Sequence, residues 1–149
     1  MLVHLSLILS TDPELILIDE VLHSVDPYLR DIVFRQLISV MEKRNPIVVM
    51  VNLNFHDIEN LVDRVIFLGR DGIRLDESVD GLKLKTRRVI AEEISSEYSV
   101  LFTENVMGKM HHIVYPFDEQ AEGTNFESIQ KMDLTEIMTA FMGGEYSVS

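Results

Sequence analysis

The apolar positions change period along the first half of this chain, and each change marks an element. Leu15-Ile16-Leu17-Ile18 is an unbroken aliphatic run that ends in Asp19-Glu20. A run of that length and branching suits a strand buried on both faces, as in a parallel sheet. Asp26-Pro27 predicts a helix start, because aspartate accepts from orphan backbone amides and proline fits the first helical position. Leu29, Ile32, Val33, Leu37 and Met41 then recur at helical spacing, so one face is apolar. Lys43 and Arg44 complement the dipole near its end, and Asn45-Pro46 breaks the pattern. Ile47–Val51 reads as a second buried strand. A short helix is predicted over 55–62, with Ile58, Leu61 and Val62 inward. Val65-Ile66-Phe67-Leu68 is a third strand, followed by a tight turn at Gly69-Arg70-Asp71-Gly72. Strands alternating with helices imply right-handed crossovers onto one sheet.

The texture changes after Gly72. Residues 78–84 suit a short helix, and the basic run Lys83-Leu84-Lys85-Thr86-Arg87-Arg88 leads into a strand at Val89-Ile90-Ala91. Two more strands are expected at 99–103 and 112–115. Residues 117–126 are acidic and polar, which suits a loop. Asp133 is placed to cap a last helix whose Leu134, Ile137, Met138 and Phe141 share a face, with Gly143-Gly144 ending it.

Composition narrows the class. With 149 residues, 46% of them hydrophobic, the chain can bury a core as one domain or two small ones. It has no cysteine, which excludes disulfides, thiolate metal sites and cysteine nucleophiles. The formal charge of -12 repels phosphate backbones and anionic headgroups, so neither nucleic acid nor a membrane surface is an expected partner. No apolar run is long enough to span a bilayer, and the first residues lack the pattern of a secretory signal. The expected location is the cell interior.

The strongest chemical signal is Asp19-Glu20 at the end of an apolar strand, with Ser24-Val25-Asp26-Pro27 shortly after. Ligands of open α/β sheets bind outside the carboxyl ends of the strands. Neighbouring side chains on a strand point opposite ways, so the two acids take different tasks. One can hold a metal, directly or through water; the other can orient an attacking water.

Together these segments resemble the second half of an ABC-transporter nucleotide-binding domain. An Asp-Glu-terminated strand (Walker B), a D-loop with Asp, a helix, a further strand and an Asp-Arg-Val-Ile strand match residues 15–20, 24–27, 28–41, 47–51 and 63–68, with the histidine-loop position falling between the last two. The similarity covers roughly residues 4–74 in unbroken order, and the tail is less specifically similar to a bacterial C-terminal extension. The resemblance implies an α/β fold: a partial P-loop NTPase-like parallel sheet with helices over 1–74, then a small α+β accessory domain over 75–149. It implies that Asp19 helps hold Mg²⁺ through water, that Glu20 is general base or water-orienting group, and that Asp26 contacts the nucleotide site across a dimer. ATP with Mg²⁺, a second ATP-binding subunit and a transmembrane permease subunit are the implied cofactors and partners. The implied location is cytoplasmic, peripheral to the membrane through the permease.

The sequence also departs from that family. No G-x-x-x-x-G-K-[ST] phosphate loop, glutamine loop or LSGGQ-like signature occurs in it. Without a phosphate cradle, carboxylates accomplish little, so the chain alone is expected neither to bind ATP tightly nor to hydrolyse it. The expected activity is ATP hydrolysis driving transport in a completed subunit; the alternative is a catalytically silent dimerisation or regulatory module. Val21 stands where the family usually has proline, and Leu53 where its γ-phosphate-contacting histidine falls. Leucine can neither donate to a phosphate oxygen nor carry a proton. His56 lies too far on to replace it without a remodelled loop. His111-His112 lie next to each other on an expected strand and so face opposite sides, against a shared metal. The basic run is most simply a solvated helix end, with phosphate contact as the alternative.

Overall fold

The fold is a computed structural model that describes residues 7, 10–19, 25–52, 55, 56, 58–118 and 125–146. The chain divides into two compact units, Met1–Leu53 and Asn54–Ser149.

In the first unit, strand β1 (Leu15–Asp19) pairs in parallel with β2 (Ile47–Val51), joined through helix α1 (Pro27–Arg44). Asp26 caps α1 as its sequence predicts: its carboxylate accepts from the Tyr28 amide at 2.9 Å, and Pro27 occupies the first turn. The helix ends where Asn45 enters the left-handed region (φ 51) and its amide reaches the Met41 carbonyl. Ile16, Ile18 and Leu37 are buried together, with Val40, Met41, Val48 and Met50 packed around them. Burial of each such side chain is worth about 1.5–3 kcal/mol.

Two expectations fail in this unit. β1 is buried on one face only: Ile16 and Ile18 are inward, while Leu15 and Leu17 are exposed. β2 likewise presents Ile47, Val49 and Val51 outward, because a helix covers just one side of this two-stranded sheet. On α1 the buried residues are Val33, Phe34 and Leu37, whereas Leu29 and Ile32 are exposed. The inward stripe is therefore rotated toward Phe34.

The second unit overturns the parallel, P-loop-like sheet. β3 (Arg64–Gly69) does not extend β1–β2; it folds back antiparallel on β4 (Gly72–Ser78). The physical reason is local. Gly69 pairs with Gly72 across the two-residue loop Arg70-Asp71, and Gly72 takes a φ of 127 that a side chain would resist. Closing so short a loop costs less chain entropy than a long crossover. The largest sheet is wholly antiparallel, in the order β6 (Val100–Val106), β7 (Lys109–Val114), β5 (Arg87–Ile90), β8 (Ser128–Gln130). Among the described residues the architecture is thus mixed α/β, built mainly from small antiparallel sheets with one parallel strand pair.

Helix α2 (Val79–Lys85) starts at Ser78, whose hydroxyl accepts from the Gly81 amide at 3.1 Å. Helix α3 (Leu134–Tyr146) starts with a reciprocal capping pair: Asp133 accepts from the Glu136 amide at 2.8 Å, and Glu136 accepts from the Asp133 amide at 3.0 Å. Leu134, Ile137 and Met138 are buried with Val65, Leu75, Leu82 and Ile113, so the predicted apolar stripe is core. Gly143 does not end α3. It sits inside the helix where a Cβ would come within 3.2 Å of the Phe102 ring, so its smallness permits close packing on β6. The expected helix over 55–62 is a pair of turns, Ile58 amide to Phe55 carbonyl and Leu61 amide to Ile58 carbonyl, with Ile58 buried. β8, unanticipated, is three residues held by β5.

Candidate functional site

Asp19 closes β1 opposite Val51, at the carboxyl end of the one parallel pair. Ile18 before it is buried, whereas Asp19 is exposed and its carboxylate makes no hydrogen bond or ion pair with another described residue. Strand alternation produces this arrangement: the same pleat that pins Ile18 on α1 turns the next side chain to the open face. An unengaged carboxylate is a hard oxygen donor of the kind Mg²⁺ takes, usually one or two per site with water completing the shell. Among the described residues Asp19 supplies one such oxygen ligand and belongs to no group of three acids or histidines that could hold the ion.

Asp26 is occupied as the cap of α1, its Oδ1 on the Tyr28 amide while its carbonyl accepts from Arg30 at 2.9 Å. Glu20, Ser24 and Leu53 lie outside the described residues. The structure thus brings Asp19 and Asp26 to the two ends of the segment that joins β1 to α1. His56 is an exposed turn residue of the second unit.

The basic run is committed internally. Lys83 pairs with Glu59, Lys85 with Glu77, and Arg88 with Glu136 at 2.9 Å. Arg87 is buried and donates to the carbonyls of Lys83 and Thr86 at 2.9 and 2.8 Å. Leu84 and Lys85 are nevertheless exposed, as a solvated helix end requires, while the ion pairs join α2 to Glu59 and β4, and β5 to the last helix.

His112 is buried as well. Its Nε2 lies 3.2 Å from the Ala91 carbonyl, which can only accept, so Nε2 carries the proton. In the neutral ring Nδ1 then accepts from the Thr103 hydroxyl at 3.0 Å. His112 is a structural clasp between β6, β7 and the chain after β5. Among the described residues no three His, Asp or Glu side chains could share a metal ion. An open depression lined by Glu92, Glu93, Ser95, Ser96 and Glu127 is acidic, and its Glu127 is bound by Lys109.

Charge pairs on the β3–β4 hairpin shift their own titrations. The hydrogen bond from Arg64, 2.6 Å, holds the Asp76 carboxyl below its usual range. Lys85, then the Ser78 amide, holds Glu77 down likewise. Depressed carboxyls contribute stability above their unfolded value of about 4 and lose it as pH falls through the folded values. The thermal midpoint should therefore drop on acidification from about pH 5 to about pH 3, and a D76N/E77Q variant should show a shallower slope. Because the pairs are exposed, added salt should weaken the difference. An unchanged slope would remove these pairs from the stability of the hairpin.

No protein-family model and no curated protein matches the chain. Among the described residues no helix is long and apolar enough to cross a membrane.

Proposed function

We propose that this chain is the C-terminal part of an ABC-type ATP-binding subunit, which contributes carboxylates to Mg-ATP hydrolysis once polypeptide bearing a phosphate loop and signature segment completes it. The observation that carries the reading is the exposed Asp19 carboxylate at the end of a parallel strand, unpaired among the described residues, with Asp26 capping the next helix. This is the order and spacing of the Walker B and D-loop segments that the sequence resembles. The exposed aliphatic face of Leu15, Leu17, Ile47, Val49 and Val51 adds support, since completing polypeptide would bury it.

In this reading Asp19 would help hold Mg²⁺, and Glu20 would orient the attacking water. Magnesium, when bound, neutralises charge on the phosphate oxygens. The work would be done by a pair of such subunits on a transmembrane permease, at the cytoplasmic face of the membrane. A silent dimerisation or regulatory module is the second reading, favoured by Leu53 in the histidine-loop position.

The test uses two proteins: the chain alone, and a fusion that places the phosphate loop and signature segment of an ABC subunit before it. The chain alone should release no phosphate from Mg-ATP. The fusion should hydrolyse ATP where the added segment alone does not. A folded fusion that neither binds nor hydrolyses Mg-ATP, but dimerises regardless of nucleotide in light scattering, would replace the first reading with the second.

A further inference from the structure

We propose that Met107, at the tip of the β6–β7 hairpin, is a selective site of oxidation by hydroperoxides, and that the neighbouring Met110 is shielded from it by Asn105. Val106 pairs with Lys109, so Met107 and Gly108 form a two-residue turn, with φ of 53 and 85. Asn-Gly or Gly-Gly is the usual choice where both central residues need positive φ. Here an unbranched thioether takes the first position, and its side chain is fully exposed, at 101%. None of the other described methionines is comparably open: Met132 and Met138 are buried at 4% and 2%, and Met41, Met50, Met110 and Met142 are half-buried.

Asn105 engages both the turn and the sulfur of Met110. Its Oδ1 accepts from the Gly108 amide at 3.0 Å and braces the turn, while its Nδ2 donates to Met110 Sδ at 3.6 Å. That bond engages the lone-pair density with which a thioether attacks an oxidant, so Met110 reacts more slowly. Met107 Sδ has no such partner among the described residues. In the reaction the sulfur attacks one peroxide oxygen, the O–O bond breaks, and an S–O bond forms. The second oxygen takes the proton of the transferred one and leaves as water or alcohol; the thioether loses two electrons and the peroxide gains them. The product is a polar sulfoxide at an exposed tip, outside the core clusters of the described residues.

Trypsin makes the test direct, because cleavage after Arg88, Lys109 and Lys131 puts Met107 and Met110 on separate peptides and Met132 and Met138 on a third. The folded chain is treated with dilute hydrogen peroxide, quenched, digested and weighed by mass spectrometry. Peptide 89–109 should gain one oxygen at least about fivefold faster than peptide 110–131, and this ratio should collapse toward one in urea. In Asn105→Ala the rate at Met110 should rise toward that at Met107. The unfolding midpoint of the singly oxidised chain should equal that of the untreated chain. Equal rates at Met107 and Met110 in the folded chain would overturn the proposal. An Asn105→Ala rate at Met110 that does not change, or a midpoint that falls with the first oxygen, would overturn the shielding and the separateness of the tip respectively.

Discussion

Changing Glu20 to Gln in the completed fusion is expected to lower ATP hydrolysis by about 10²–10⁴-fold while leaving nucleotide binding within a factor of about two. Glutamine keeps the size and one acceptor oxygen of glutamate. It cannot take a proton or carry the negative charge that orients water, and those are the two services that the proposed role asks of this position. Asp19→Asn should act differently. It removes the charge of the oxygen donor that ends β1, so the magnesium dependence of binding should weaken along with turnover. Measured phosphate release and magnesium titrations separate the two. If both variants hydrolyse ATP like the parent fusion, the adjacent acids are only a polar strand end, and the ATPase reading falls. A parallel Asp26→Ala variant needs a stability measurement beside it, because Asp26 also caps α1 and loss of a cap costs about 1 kcal/mol.

The second large effect concerns folding. Ile137 is fully buried on α3 in the cluster that includes Val65, Leu75, Leu82, Ile113 and Leu134. Ile137→Asp puts a carboxylate among aliphatic side chains with no partner, a cost of more than about 4 kcal/mol. A small domain holds only about 5–15 kcal/mol in total. The second unit should therefore be largely unfolded, with amide protection lost in β5 and β7. Ile137→Val removes one methylene and should cost about 0.5–1.5 kcal/mol. Denaturant melts followed by amide exchange read both. An aspartate tolerated within about 1 kcal/mol would mean that α3 is not part of this core.

Local chemistry was readable in advance where a side chain acts on its own neighbourhood. Asp26-Pro27, Asn45, Ser78 and Asp133 mark helix boundaries because their oxygens or torsions satisfy backbone groups a few residues away. Gly69 to Gly72 announced a turn for the same reason. Gly143-Gly144 misled, since a glycine that ends a helix and one that admits a neighbouring ring look alike in a sequence. The ring of Phe102 comes from a strand more than thirty positions earlier. Arg87 and His112 were equally hidden: their partners are carbonyls and a hydroxyl, which every sequence contains everywhere.

Order and identity of residues sufficed to place Asp19 at a strand end and Asp26 on a helix cap, because strand and cap both depend on contacts within a few residues. Which strands pair, and in what direction, depends on where the chain returns. β3 met β4 across a two-residue turn instead of joining β1 and β2, and an unbroken aliphatic run is compatible with either outcome. Burial on one face of β1 rather than two was likewise settled by which helices pack against it. Hydrophobicity demands cover, but only the assembled chain supplies it.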